Sequence, residues 1–166
     1  MFVFKAAVVG AGTMGGQIAQ TIARAGIPVL RKDVSEELVA RGLEEARNVT
    51  AGEAARLVKR GRCSEAEGQA LVEEVLGRIT GTTSYEGFGL VDFVIEAVPE
   101  RMEVKQAVFA ELDAATPSHA ILASNTSSLS ISEIAEATLR PELVLGFHYF
   151  YPASIMPFRW PHNELS

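Results

Sequence analysis

Three groups of residues in this chain have types and spacings suited to chemistry. The first is Gly10-Ala11-Gly12-Thr13-Met14-Gly15, a G-x-G-x-x-G pattern between a strand-like run and a helix-like run. Its first glycine permits a tight turn, its second leaves room for a pyrophosphate, and its third lets helix and strand lie close. A helix starting at such a turn offers free N–H groups and the positive end of its dipole to phosphate. Gly10, Gly12, Thr13, Met14 and Gly15 are therefore candidate cofactor contacts. The second group is Asp33, 23 residues after Gly10 and at the end of the next strand-like run. Its carboxylate can accept the adenosine ribose hydroxyls and would repel a 2′-phosphate, which favours NAD over NADP. Arg31 and Lys32 precede it and favour that phosphate, but Asp33 holds the terminal position. The third group is polar: Glu100 and Asn125 with Ser127, which follow later strand-like runs, and His148, at the C-terminal end of the last one.

Each group has a plainer reading in isolation. Glycines make turns without ligands, and a single Asp33 is more often a loop residue or helix cap. A histidine amid aromatics, as in Phe147-His148-Tyr149-Phe150, is usually a core or interface residue. Asn125-Thr126-Ser127-Ser128 reads as a polar turn before the cap Ser130. Glu100 and Lys105 read as a helix-start charge and a solvent-facing charge, and Glu96 as structural. Metal chemistry finds no support, because His119, His148 and His162 lack ligand spacing and Cys63 is isolated.

These groups need elements to bring them together. Strand-like runs are expected at 4–9, 28–32, 78–82, 91–97, 120–124 and 143–149. Helices are expected at 14–25, 35–59, 65–76, 102–115 and 131–137. Gly26 and Gly61 serve as stops, and Thr50 with Gly52 leaves open a break within 35–59. Ser64 with Glu67, and Ser130 with Glu133, have capping-box spacing. Six strands alternating with helices indicate an α/β fold, a doubly wound and mainly parallel sheet of the Rossmann type. In that fold, loops at the carboxyl ends of the strands gather at one crevice. Glu100, Asn125, Ser127 and His148 would then converge there.

Composition narrows the classes. A chain of 166 residues fits one domain, with 48% apolar and 22% charged residues. The net charge of −6 argues against a nucleic-acid partner. No apolar run approaches a membrane span, and the run from Phe2 to Val9 breaks at Gly10-Ala11-Gly12, too soon for a signal peptide, so the expectation is a cytoplasmic protein without a membrane partner. A single cysteine rules out an internal disulfide.

Four motifs occur in order: Gly10-Ala11-Gly12-Thr13-Met14-Gly15-Gly16, Ile95-Glu96-Ala97-Val98, Ser124-Asn125-Thr126-Ser127-Ser128-Leu129 and Gly146-Phe147-His148-Tyr149-Phe150. Together they resemble the NAD-binding domain of 3-hydroxyacyl-CoA dehydrogenases. Lys32-Asp33 is similar to the form found in multifunctional fatty-acid β-oxidation enzymes. The resemblance covers Phe4 to about Met156. It implies an NAD-dependent oxidoreductase that oxidises the 3-hydroxyl of an acyl-CoA to a ketone. His148 would be the general base, Ser127 would hydrogen-bond the reacting oxygen, and Asn125 would shape the floor of the site. Glu100 and Lys105 match residues near the nicotinamide and its ribose. Elementary chemistry agrees: NAD accepts only the hydride, so a protein base must take the proton, and histidine suits that task.

The sequence departs from the family in three places. The family carries a carboxylate twelve residues beyond the histidine, where Trp160 stands here, and Glu164 is four residues farther on. It carries Asn three residues beyond the histidine, where Tyr151 stands. Residues 158–166 lose all periodicity, and Pro161 argues against a central strand. The expected division is therefore a Rossmann domain over 1–157 and an atypical tail over 158–166, with the family's helical C-terminal domain absent. That domain closes the cleft and supplies most of the dimer interface in the family. The chain alone is expected to bind NAD weakly with little or no turnover, and homo-oligomerisation stays open. Two other readings remain: a cofactor-binding or structural remnant without catalysis, and a 3-hydroxyacid dehydrogenase of related fold, which would use a catalytic lysine.

Overall fold

The computed structural model describes residues 3–10 and 12–149. Among these residues, six parallel strands form one sheet: β1 (Ala6–Val9), β2 (Val29–Lys32), β3 (Ile79–Thr82), β4 (Phe93–Glu96), β5 (Ile121–Ser124) and β6 (Val144–Gly146). Their order is β3-β2-β1-β4-β5-β6, the doubly wound order, with the direction of winding reversing between β1 and β4. The helices are α1 (Gly12–Arg24), α2 (Glu36–Lys59), α3 (Glu65–Leu76), α4 (Met102–Ala115) and α5 (Ile131–Ala135).

The alternation of side chains along a strand divides the core in two. Ala6 and Val8 of β1 pack with Ile18, Ala19 and Ala23 of α1 and Val75 of α3. Ala7 and Val9 face the other way, toward Phe109 and Leu112 of α4 and Ile134 of α5. Full burial of a side chain such as Phe109 or Leu112 contributes about 1.5–3 kcal/mol. Because both faces are covered, β1 is buried throughout and could be written with small and branched apolar residues alone.

Most element boundaries differ from the sequence expectation by one to three residues, for visible reasons. The first strand starts at Ala6 because the Phe4 and Lys5 amides bond the Asp92 carboxylate at 2.8 and 3.0 Å. The last strand ends at Gly146, three residues early, because the Tyr149 amide turns to the Asn125 side chain. The α2 segment is one unbroken helix. Thr50 is tolerated inside it because its hydroxyl donates to the Ala46 carbonyl at 2.7 Å, leaving no buried polar group unpaired. The Ser64–Glu67 capping box forms in full at α3. At α5 the Ser130 hydroxyl accepts from the Glu133 amide, and the return bond is absent among the described residues. Trp160, Tyr151, Pro161, Glu164 and the expected 158–166 tail lie outside the described residues.

α1 and α2 cross at two glycines. A β-carbon at Gly16 would collide with the Gly42 backbone, so this crossing depends on both residues lacking side chains. It brings α2 against the helix that begins at the Gly-rich turn.

Candidate functional site

The turn after β1 has the geometry its glycines foretell. Gly10 has φ +83° and Gly12 has φ +49°, both in the left-handed region that side chains avoid. A β-carbon at Gly10 would meet Val98 at 2.8 Å, and one at Gly15 would collide with the Gly10 carbonyl. At Gly12 it would meet nothing within 4 Å. The first two contacts show glycine used for close packing; the third shows it used to keep space open. α1 starts at Gly12 itself, so its first-turn N–H groups, unpaired within the helix, lie at that opening. This arrangement fits the diphosphate of a dinucleotide. Thr13 is exposed and Met14 half-buried in the same first turn.

Beside the turn lies a cleft of about 630 Å³ lined by Gly10, Gly12, Asp33, Val34, Val98 and Val108 among others. Asp33 lies at its edge, just beyond β2. Its two oxygens are held by the Val34 amide (2.9 Å) and the Arg31 guanidinium (2.8 Å). Two cations precede Asp33 in the chain, and of these Lys32 also lines the cleft. Arg31 is fully buried, and the Lys32 ammonium sits 4.4 Å from the centroid of the Tyr85 ring. The Tyr85 hydroxyl donates to Glu111 at 2.7 Å, and burial followed by that carboxylate pushes its ionisation well above the usual phenol range.

On the far side of the switch point, a buried polar chain runs out from β4. Glu96 has no solvent exposure and accepts from the Ser124 hydroxyl (2.6 Å), the Val98 amide (2.6 Å) and the Lys105 ammonium (2.8 Å). Lys105, read from sequence as a solvent-facing charge in its plainer reading, is 1% exposed. Its ammonium also lies 3.4 Å from Glu100. Glu100 in turn gathers the loop after β5: it accepts from the Thr126 hydroxyl, the Ser127 amide (3.3 Å) and the Ser128 hydroxyl (3.1 Å). Burial pushes the Glu100 carboxyl up, but Thr126, Lys105 and Ser128 outweigh it and hold the group below the ordinary carboxylate value. Thr126 and Ser128, absent from the sequence reading as contacts, are thus the anchors of Ser127. Their signal was in the motif, but a hydroxyl's partner cannot be read from its neighbours in the chain.

Asn125 joins three elements. Its carbonyl accepts from the Tyr149 amide at 2.6 Å, its amide points at the Met14 sulfur at 3.5 Å, and its backbone N–H bonds Glu96 at 2.8 Å. Ser127 and His148 are exposed, and both line a cavity of about 310 Å³ with Thr126, Ser128, Leu129 and Phe147. The structure therefore puts Gly10, Gly12, Asp33, Glu100, Asn125, Ser127 and His148 beyond the carboxyl ends of five strands. Among the described residues no cluster of three metal-binding side chains occurs, and no helix is long and apolar enough to cross a membrane.

Comparison with known proteins gives a consistent picture. Residues 5–158 match the family model described as 3-hydroxyacyl-CoA dehydrogenase, NAD binding domain. The fatty acid oxidation complex subunit alpha of Pseudomonas savastanoi pv. phaseolicola is 47% identical over 153 residues, which is 92% of this chain and 20% of that protein. The chain thus spans about a fifth of the length of the curated relatives it matches. Among solved structures, 3-hydroxybutyryl-CoA dehydrogenase of Escherichia coli superposes with a TM-score of 0.80 at 38% identity, covering 94% of this chain and 31% of that one. The (S)-3-hydroxybutyryl-CoA dehydrogenase of Ralstonia eutropha gives 0.81 at 35% identity, covering 93% and 52%.

Proposed function

This chain belongs to the 3-hydroxyacyl-CoA dehydrogenase NAD-binding domain family, and on that premise we propose that it is the cofactor half of an enzyme oxidising 3-hydroxyacyl-CoA in fatty acid β-oxidation. The observation that supports it best is the convergence of the open glycine turn, Asp33, and the Ser127–His148 cavity along one edge of the sheet. The residues suited to hold NAD are Gly10, Gly12, Thr13, Met14 and Gly15 at the diphosphate and Asp33 at the adenosine ribose. Bound NAD supplies the acceptor for the hydride that leaves C3 of the substrate.

In this reading the protein's own groups manage the proton. A ring nitrogen of His148 takes the hydroxyl proton of the alcohol, and the Ser127 hydroxyl hydrogen-bonds the oxygen that becomes the carbonyl. Asn125 fixes the floor between α1 and the segment carrying His148. Glu100 stands beside the nicotinamide ribose and tethers the Ser127 loop, and Lys105 acts through Glu100 rather than by touching a ligand. His148 and Ser127 are both exposed in the chain by itself, which leaves the reacting atoms in water and makes its own turnover slow. The reading carries with it the domain limit at 157, an acyl-CoA partner and the cytoplasmic location expected from sequence.

The test is a fluorescence titration with NADH alongside reduction of acetoacetyl-CoA by NADH. NADH binding with slow, measurable reduction is expected. His148→Ala should keep the affinity for NADH and remove the reduction. Reduction that survives the substitution unchanged excludes His148 as the base, and absence of NADH binding excludes the cofactor site.

A further inference from the structure

Among the described residues, the largest side chain fully withdrawn from solvent is that of Arg31, and nothing in the proposed reaction uses it. Its Nη2 donates to the Gly12 carbonyl and to the Asp33 carboxylate, both at 2.8 Å. Its Nε and Nη1 are buried with no hydrogen-bond partner among the described residues. Space for the group is made elsewhere in the chain: a β-carbon at Gly42 would collide with the guanidinium. The Gly16–Gly42 crossing then closes α1 and α2 over it.

Such a group is a poor choice for stability alone. A buried guanidinium with two unpaired nitrogens loses more hydration than one ion pair restores, and an apolar side chain would fill the same space without that cost. What the guanidinium does achieve is to join two segments that are 21 residues apart, from position 12 to position 33. One is the turn that opens at Gly12; the other is the acid at the end of β2.

We propose that Arg31 is a positioning residue of the cofactor site, locking the Gly12 carbonyl and the Asp33 carboxylate into one unit that receives the diphosphate and the adenosine ribose of NAD together. The proposal rests on Asp33 being the ribose acceptor. With Arg31 on one oxygen and the Val34 amide on the other, the carboxylate cannot rotate, so its orientation is settled before a ligand arrives. The same bond holds the Gly12 carbonyl away from the space that the diphosphate needs.

Calorimetric titration with ADP and with 2′-deoxy-ADP tests it, using the wild-type protein and Arg31→Met, each checked for folding by circular dichroism. In the wild type, loss of the 2′-hydroxyl should weaken binding by about tenfold, the effect of one hydrogen bond to a charged group. In Arg31→Met the same loss should cost less than about threefold, because the carboxylate is no longer held in place. An equal penalty in both proteins overturns the clamp while leaving the Asp33 reading intact. No penalty in the wild type overturns the Asp33 reading, and the clamp with it. Should Arg31→Met not fold, the wild type still decides: the Arg31 guanidinium NMR signal should shift with ADP and shift less with 2′-deoxy-ADP. An indifferent signal overturns the proposal.

Discussion

Replacing Lys105 by Met should destabilise the protein far more than a lysine usually can. The side chain is 1% exposed and its main partner, Glu96, is fully buried, with 2.8 Å between them. Solvent screening, which reduces a surface pair to about 0–1 kcal/mol, is absent here. The substitution removes the cation but leaves the Glu96 carboxylate among apolar neighbours with two donors, Ser124 and the Val98 amide. Breaking one partner of a buried pair costs about 3–5 kcal/mol. For a domain of this size that lowers the melting midpoint by roughly 6–20 °C. Glu96→Gln combined with Lys105→Met removes the stranded charge, so the double variant should regain at least half of the loss. Urea denaturation followed by circular dichroism measures all three variants at one pH. A loss under about 1 kcal/mol for Lys105→Met would mean the pair lies in a water-like environment. The account of how Glu100 and the Ser127 loop are held would then be wrong.

Three further outcomes are expected. Gly16→Ala should cost about 1–3 kcal/mol by overpacking, since the new carbon meets backbone on α2 that cannot yield; an unchanged denaturation midpoint would show that the helices separate freely. Gly12→Val should weaken NADH binding at least about tenfold, because the side chain fills the opening that Gly12 leaves, and unchanged affinity would place the diphosphate elsewhere. Glu100 has a folded-state ionisation below its ordinary value. Its stabilising contribution is complete above the ordinary carboxylate pKa and lost as the pH falls through the lower folded value. Glu100→Gln should therefore flatten the acid side of the stability profile, measured by denaturation across pH, and superimposable profiles would remove the tether.

Much of the scaffold was legible because its signals are local. The strand-like run before Gly10, the caps at Ser64 and Ser130, and the spacing of α4 each depend on a few neighbouring residues. The doubly wound, parallel character of the sheet followed from the alternation of strands with helices. Local reading failed where distant groups decide. Nothing near Phe4 in the chain says that Asp92 will take its amide and delay β1 by two residues. Nothing around Lys105 distinguishes an outward charge from a buried one, because the deciding partner, Glu96, sits on a different element. Arg31 was visible only as a neighbour of Asp33 whose charge favours the 2′-phosphate that Asp33 repels. Its actual direction depends on Gly42, which offers no signal except the absence of a side chain.

Among the described residues, the strand that leads to His148 is the shortest and lies at one of the two edges of the sheet, three residues paired to β5. Local opening at such a rim costs less than global unfolding, so its amides should lose protection from hydrogen exchange before those of β1 or β4. The precision with which the imidazole is presented is then governed by fraying of this margin rather than by the melting temperature of the whole. A variant could keep its thermal midpoint and still blur the placement of the group on which proton removal depends.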